Sequence, residues 1–187
     1  MNLKRKYQKE VIPLMKQKFG YQNDLAVPKI IKVILNVGLN RAMTEKDPKF
    51  VERVERALIK ITGQKPVKTI ARKSISGFKV RQGLVVGLMV TLRGQRMYDL
   101  LEKLIYVALP RSRDFRGLLP KSVDKSGNFS IGLSEQIIFP EVTVESVEKI
   151  HGLEIVINTS AKSHEKGLEL LKSLGFPFRE TTTNYKS

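Results

Sequence analysis

The sequence contains no cysteine and only two histidines in 187 residues. The missing thiols exclude disulfides, thiolate catalysis, iron–sulfur clusters and cysteine-type zinc sites. The longest apolar stretch, residues 84–90, is far shorter than the roughly 20 residues that cross a bilayer. Residues 1–7 carry bases with no apolar stretch behind them, so we expect neither a signal peptide nor a transit peptide. These absences predict a protein without a metal site or cofactor and without a segment that spans a membrane.

Acidic residues are scarce, and their scarcity is uneven along the chain. There are 34 Lys and Arg against 18 Asp and Glu, which gives a formal net charge of +16. Residues 1–125 hold 28 bases and 10 acids, whereas residues 126–187 hold 6 bases and 8 acids. Such a positive chain repels itself, and a polyanion relieves that repulsion, so nucleic acid is the first candidate partner and an anionic membrane surface the second. The C-terminal part is either a solvated face or a surface for a basic protein.

The segment 57–98 contains no acid at all. A surface that merely faces water usually mixes both signs of charge. An acid-free stretch of this length predicts a surface that faces phosphates. Its nine bases are Lys60, Lys65, Lys68, Arg72, Lys73, Lys79, Arg81, Arg93 and Arg96.

Catalytic motifs are also missing. The chain has no phosphate-binding P-loop, no dinucleotide fingerprint and no G-x-S-x-G nucleophile motif. His151 and His164 accompany no recognisable nucleophile, and the glutamates in residues 141–148 match no calcium-loop spacing. We therefore predict that the protein is not an enzyme and has neither a catalytic nor a metal site.

The hydrophobic periodicity predicts an α+β fold. Apolar spacing and capping residues predict four helices, at residues 3–20, 47–62, 96–109 and 163–175. Pro13 should kink the first or start a second segment, and Pro110 should stop the third. Five strands are predicted, at residues 29–38, 66–73, 84–93, 128–133 and 153–159. We expect a mostly antiparallel sheet with helices packed on one face and an open polar face. This would be one domain over 1–187, with a basic part, 1–110, and a second part, 111–187.

The first predicted strand has two unlike faces. Alternation places Lys32, Ile34 and Asn36 on one face, and Ile31, Val33, Leu35 and Val37 on the other. Thr91 and Arg93 on a later strand would join the polar face. Bases neutralise phosphates, and Asn and Thr hydrogen-bond riboses and base edges, so this face can bind RNA. Ordinary strand-edge polarity is the alternative for Asn36 and Thr91.

The connection 74–83 is polar, basic and contains two glycines. Gly77 and Gly83 permit a positive φ or a close backbone approach. The serines and bases of this connection can bind phosphates. Ile75 and Phe78 leave two alternatives open: Phe78 stacks on a base or ribose, or both side chains are buried and anchor the loop.

Several stretches resemble the bacterial-type large-subunit ribosomal protein five family, in order and over nearly the whole chain. They are ITGQKP (61–66), ARKSISGFK (71–79), VTLRG (90–94), ALPRSRDFRG (108–117), GN (127–128), EQIIFPE (135–141) and LGFPF (174–178). Two stretches, residues 37–42 and 123–128, depart from the family pattern. In the first, Asn40-Arg41 exchanges an acid for a base.

The resemblance implies a structural protein of the central protuberance that binds 5S rRNA as well as large-subunit rRNA. The implied 5S rRNA site, completed by neighbouring bases, is Lys32, Asn36, Gln64, Lys65, Lys73, Phe78, Thr91 and Arg93. A loop that reaches toward P-site tRNA would use Ser74, Ile75, Ser76, Gly77, Lys79 and Arg81. A bridge to a basic small-subunit head protein would use Arg111, Arg113, Phe115, Arg116, Glu135 and Glu145.

The resemblance also places the protein in a ribosome of the bacterial cytoplasm, the plastid stroma or the mitochondrial matrix. From the residues alone, a regulator that binds RNA or DNA outside the ribosome is the alternative. An enzyme is the third interpretation.

Overall fold

The computed structural model describes residues 3–39, 47, 49–78, 80–113, 115–142 and 150–179. Within these ranges there are two uninterrupted helices, α2 (Phe50–Thr62) and α4 (His164–Leu174). Helix α1 consists of α-helical Leu3–Lys6, a π-helical turn at Tyr7–Val11 and α-helical Ile12–Phe19. Helix α3 consists of α-helical Gly94–Lys103, a π-helical turn at Leu104–Ala108 and α-helical Leu109–Arg111. The strands are β1 (Ile30–Gly38), β2 (Val67–Ile70), β3 (Val85–Leu92), β4 (Phe129–Leu133) and β5 (Leu153–Thr159). Short 3-10 turns occupy Asp24–Ala26, Ser76–Phe78, Pro120–Ser122 and Gln136–Ile138.

The five strands form one antiparallel sheet in the order β2-β3-β1-β5-β4. The α+β prediction is therefore confirmed. Strand β1 lies at the centre, between β3 from the basic part of the chain and β5 from the C-terminal part. Both parts consequently contribute side chains to each face of the sheet.

The helices cover one face of the sheet. Its inward side chains are buried and include Val33, Leu35, Leu88, Val90, Leu92, Ile155 and Ile157. They share one core with helical residues such as Leu58, Leu101, Leu104, Leu170 and Leu171. In α4, Leu168 is only half-buried, whereas Leu170 is fully buried. None of the helices within the described ranges has the length and apolar character that a membrane span needs.

Two prolines come just after π-helical turns. At Pro13 a second α-helical segment, Ile12–Phe19, begins, which is one of the two predicted outcomes. Proline lacks an N–H, so the carbonyl four residues earlier loses its usual donor. In both helices the hydrogen bonding widens just before the proline: Ile12 N–H bonds Tyr7 O, and Leu109 N–H bonds Leu104 O. Helix α3 therefore continues past Pro110 to Arg111, and the prediction that it stops at Pro110 is wrong.

Helix α2 begins at Phe50, three residues after the start of the predicted range 47–62. The Asp47 carboxylate accepts a hydrogen bond from Lys49 N–H at 3.1 Å, and the Asp47 carbonyl accepts one from Phe50 N–H at 3.0 Å. These bonds form a turn ahead of the helix; Pro48 itself lies outside the described residues. The helix ends as predicted at Gly63, whose φ of 66° is left-handed and turns the chain toward β2.

A β-bulge in β1 changes the face on which its first residues lie. Ile30 pairs with Thr159 but Lys32 pairs with Asn158, so Ile31 is an extra residue relative to β5. Ile31 is 43% exposed, and its predicted place on the core face is wrong. Beyond the bulge, Val33 and Leu35 are buried as predicted.

Candidate nucleic-acid interface

The sheet face opposite the helices, here called the open face, consists of cross-strand rows. Residues directly opposite each other on antiparallel strands project to the same side with Cβ atoms roughly 5 Å apart. The open-face rows are Lys32–Asn158, Thr91–Ile34–Val156 and Met89–Asn36–Glu154. Glu154 is exposed and the other side chains are half-buried, so all are accessible to a partner.

Three predicted 5S rRNA residues meet on this face. Thr91 lies opposite Ile34, between Lys32 and Asn36 on the same side of β1. Arg93 is exposed and directly follows Leu92, the partner of Val33, which places it at the Lys32 end of the sheet. The structure therefore brings together, within three neighbouring rows, side chains that can bind phosphates, riboses and base edges.

Gln64 reaches the same area from the end of α2. Its Nε2 donates a hydrogen bond to the backbone oxygen of Thr91 at 3.3 Å. Thr62 Oγ1 accepts from Gln64 N–H at 3.2 Å and itself donates to Leu58 O at 2.7 Å, which fixes the turn. Lys65 follows and is exposed. Gln64 and Lys65 thus form a corner at the β3 side of the open face.

The connection between β2 and β3 is a hydrogen-bonded hairpin extension. Strand β2 ends at Ile70 rather than at the predicted Lys73, but Ala71 N–H bonds Leu84 O at 2.8 Å. Farther out, Ile75 and Val80 exchange two backbone hydrogen bonds of 2.9 and 3.1 Å. Gln82 N–H also donates to Ser74 Oγ at 2.9 Å. The backbone of this segment is therefore held by its own bonds.

The apolar side chains at the hairpin tip face the solvent. Phe78 is 76% exposed and Ile75 is 51% exposed, so the alternative in which they anchor the loop in the core is wrong. Lys73, Ser74, Ser76, Gly77 and Arg81 are exposed as well, while Lys79 lies outside the described residues. Gly83 has a φ of 86°, but φ at Gly77 is not positive. The tip thus offers an aromatic ring and several bases to a partner.

Among the described residues, most bases of the acid-free segment form no recorded ion pair with a carboxylate of the protein. All eight that the structure describes are exposed. Within the described ranges, one of these eight bases forms an ion pair: Lys68 Nζ lies 3.9 Å from Glu55 Oε2. The remaining positive charge is available to an external anion.

Strand β5 brings residues to the open face that the sequence analysis missed. Glu154 belongs to the C-terminal part, for which a solvated face or a protein partner is predicted, yet it lies opposite Asn36, whose Nδ2 donates to Glu154 Oε2 at 3.4 Å. Val156 and Asn158 continue the same face. The alternation of residues 153–159 predicts which side chains of this strand share a face, but it does not indicate β1 as the neighbouring strand.

The loop before β4 is held to β5 by side-chain hydrogen bonds. Asp124 accepts from Asn128 N–H at 2.8 Å and from Asn128 Nδ2 at 2.9 Å. Burial by itself raises the pKa of Asp124, but hydrogen bonds from Asn128 and from the backbone of Ser126 and Gly127 together lower that pKa below its ordinary value. Thr159 Oγ1 donates to Gly127 O at 2.8 Å. The sequence 123–128, which departs from the family pattern, therefore forms a well-bonded loop.

Two of the predicted bridge residues, Arg113 and Glu135, line one cleft. It has a volume of about 150 Å³ and is lined by Ser112, Arg113, Leu133, Ser134, Glu135 and Ile138. Arg111, Arg113 and Arg116 are exposed, whereas Phe115 is half-buried against the core. Arg179 Nε donates to Arg116 O at 2.7 Å and fixes this loop. Glu145 lies outside the described residues.

Comparison with known proteins gives consistent matches along the chain. Residues 23–81 match the family model for ribosomal protein L5, and residues 85–178 match the model for the C-terminus of the same ribosomal family. The large ribosomal subunit protein uL5 of Carboxydothermus hydrogenoformans is 51% identical over 176 residues, covering 94% of this chain and 97% of the relative. The uL5 proteins of Symbiobacterium thermophilum and a Roseiflexus species are 50% and 52% identical, covering 96% and 95% of this chain and 98% of each relative.

These relatives are bacterial ribosomal proteins, which form a structural family without enzymatic activity. The prediction that the protein is not an enzyme is thereby confirmed. The chain belongs to the ribosomal protein L5 family of the large ribosomal subunit, in its bacterial form.

Proposed function

We propose that the protein, a structural component of the large ribosomal subunit, binds 5S rRNA in the central protuberance through the open face and the Gln64–Lys65 corner. The observation that carries this proposal is the gathering of Lys32, Asn36 and Thr91 on one accessible face. Two exposed bases lie next to that face, Arg93 at its Lys32 end and Lys65 beside Gln64. The ribosome concerned is that of a bacterial cytoplasm, a plastid stroma or a mitochondrial matrix.

The chemistry of the rows suits a folded RNA. An open sheet face matches the wide, shallow minor groove of A-form RNA, which displays ribose hydroxyls. Lys32 and Arg93 neutralise phosphates, while Asn36 and Thr91 hydrogen-bond ribose or base edges. Ile34 lies between these polar groups and packs against the apolar side of a ribose. The exposed Lys65 and Lys73 extend the phosphate contacts, and Phe78 supplies a stacking ring.

The affinity for 5S rRNA is expected to depend steeply on salt. If about six bases contact phosphates, the logarithm of the association constant falls with the logarithm of salt concentration at a slope of about −4 to −5. Titration of labelled 5S rRNA at several KCl concentrations measures this slope. A slope near zero, or no binding of 5S rRNA, contradicts the proposal. Binding of 5S rRNA without high-salt co-sedimentation with large subunits supports a regulator outside the ribosome instead.

We also propose that the hairpin tip contacts P-site tRNA through Ser74, Ile75, Ser76, Gly77, Lys79 and Arg81. Two observations support this role. The tip's backbone is internally bonded, so it keeps its shape without a partner. Its exposed apolar and basic side chains are the groups that contact riboses, bases and phosphates.

The double variant Ile75→Ser/Arg81→Ser is expected to weaken P-site tRNA binding about tenfold, because it removes one apolar and one charged contact. Its affinity for 5S rRNA should stay within about twofold, since neither residue belongs to the proposed 5S site. Ribosomes reconstituted with the variant report tRNA affinity by filter binding. The matched control is Leu14→Ser/Lys9→Ser on exposed positions of α1. Unchanged tRNA affinity in the hairpin variant would refute the role of the tip.

We further propose that the cleft beside Arg113 and Glu135 faces a basic protein of the small-subunit head. Arg111, Arg116, Phe115 and Glu145 belong to the same proposed bridge. The neutral-to-acidic composition of residues 126–187 supports a protein partner over RNA for this part. Under this proposal, residues 1–110 carry most RNA contacts and residues 111–187 carry the bridge.

A further inference from the structure

The bulge in β1 creates a cross-strand pair that regular pairing would not. If β1 and β5 paired without interruption from Ile30 and Thr159, Ile31 would lie opposite Asn158 and Lys32 would face the core. The extra residue reverses this, and Lys32 lies opposite Asn158 on the open face. The bulge therefore places an ammonium group beside an amide group on the proposed RNA surface.

The amide of Asn158 is held in one orientation by the loop before β4. Its Nδ2 donates to Asn128 Oδ1 at 3.0 Å, and the same oxygen accepts from Thr159 N–H at 3.0 Å. The Asn128 amide cannot be turned so that its nitrogen faces Asn158, because Asn128 Nδ2 donates to the Asp124 carboxylate at 2.9 Å. Asn158 thus donates to Asn128, and Asn128 donates to the Asp124 carboxylate, which can only accept hydrogen bonds.

This orientation leaves Asn158 Oδ1 as an acceptor on the open face. In the part of the chain that the structure describes, no hydrogen bond is recorded to this oxygen, and no ion pair is recorded for Lys32. A fixed acceptor beside a cation complements a ribonucleotide, since the 2′-hydroxyl donates a hydrogen bond and the adjacent phosphate attracts a base. A deoxynucleotide offers the phosphate alone.

We propose that Asn158 accepts a hydrogen bond from a ribose 2′-hydroxyl whose neighbouring phosphate binds Lys32, so that this pair distinguishes RNA from DNA. The inference rests on the proposed 5S rRNA function and names a contact from the C-terminal part of the chain. Asn128 and Asp124 act as positioning residues, because they reach the RNA only through the Asn158 amide.

The test combines Asn158→Ala with 2′-deoxy substitution of the RNA. Wild-type protein is titrated with a bacterial 5S rRNA carrying single 2′-deoxynucleotides across the bound region. We expect one position at which the deoxy change weakens binding about fivefold, the size of one lost hydrogen bond. Asn158→Ala should weaken binding of unmodified 5S rRNA by about the same factor. Combining the protein and RNA changes should cost no more than either alone.

The controls separate this contact from folding and from the wider function. Gln17→Ala removes an exposed amide from α1 and should bind as wild type does. The deoxy scan with wild-type protein needs no variant, so it remains decisive if Asn158→Ala lowers thermal stability. If no 2′-deoxy position weakens binding, the ribose contact is refuted. It is also refuted if the losses of affinity from Asn158→Ala and from the deoxy change add fully when the two are combined. Absence of any wild-type binding to 5S rRNA would instead refute the proposed function.

Discussion

Gly167→Ala is expected to lower the free energy of unfolding by about 2–3 kcal/mol, the range found when a close-packed site is overfilled. Gly167 lies in α4 where the helix rests on the backbone of Gly127. A Cβ at Gly167 would lie 2.5 Å from Gly127 O and 2.8 Å from Gly127 C, both backbone atoms. Alanine is the better helix former by about 1 kcal/mol, so the steric cost must exceed that gain.

The loop at Gly127 has little freedom to move away from an added methyl group. Gly127 has a φ of 84°, and its carbonyl accepts the hydroxyl of Thr159 at 2.8 Å. Its N–H also bonds Asp124 O at 3.0 Å. Displacing Gly127 would therefore break bonds that hold the loop to β5.

Gly132→Ala is the matched control for this prediction. Nothing lies within 4 Å of a Cβ at Gly132, and its φ is not positive. We expect its unfolding free energy to stay within about 0.5 kcal/mol of wild type, as for most surface changes. Urea denaturation followed by circular dichroism compares the three proteins. Equal midpoints for Gly167→Ala and Gly132→Ala would show that α4 is not packed rigidly on the loop.

The elements that could be predicted from the sequence are those with strong local signals. Helix α2 follows from the apolar spacing of Val54, Leu58 and Ile61 and from Gly63 at its end. Strand β5 follows from alternation, because one row of its side chains is buried and the other is not. Such signals need only neighbouring residues, so the α+β class was accessible without a structure.

The neighbours of each strand could not be predicted in the same way. The pairing of β1 with β5 joins Asn36 to Glu154 and Lys32 to Asn158, residues more than a hundred positions apart. Alternation gives the face of a residue only while the strand is regular, and the bulge at Ile31 breaks that rule. Consequently Lys32 and Asn36 were placed correctly on one face, while Ile31 and the β5 contribution to the interface were not.

The sequence could not show whether the apolar side chains of the hairpin tip are buried or exposed, for a different reason. An apolar side chain in a polar loop either anchors the loop or serves a partner, and both uses need the same residue type. The backbone bonds between Ile75 and Val80 decide the matter, since they hold the tip without help from Phe78. The ring is left 76% exposed.

Lys32→Glu is expected to weaken 5S rRNA binding about 100-fold at ~0.1 M salt, because it removes a phosphate contact and puts a like charge against the RNA backbone. Glu154 already lies on the open face, so the new carboxylate would be a second acid on that face, two rows away. The salt slope should become shallower by about one, the contribution of one phosphate contact. Filter binding at several KCl concentrations measures both quantities.

Lys172→Glu is the control that separates a local contact of Lys32 from an effect of the total charge. Lys172 is exposed in the last turn of α4, on the helical side of the molecule. Each reversal lowers the formal net charge of +16 by the same two units, so a long-range effect of total charge affects both variants equally. A loss confined to Lys32→Glu therefore reports a local contact at the open face. Equal losses in the two variants would mean that the RNA responds to overall charge and does not dock on this sheet.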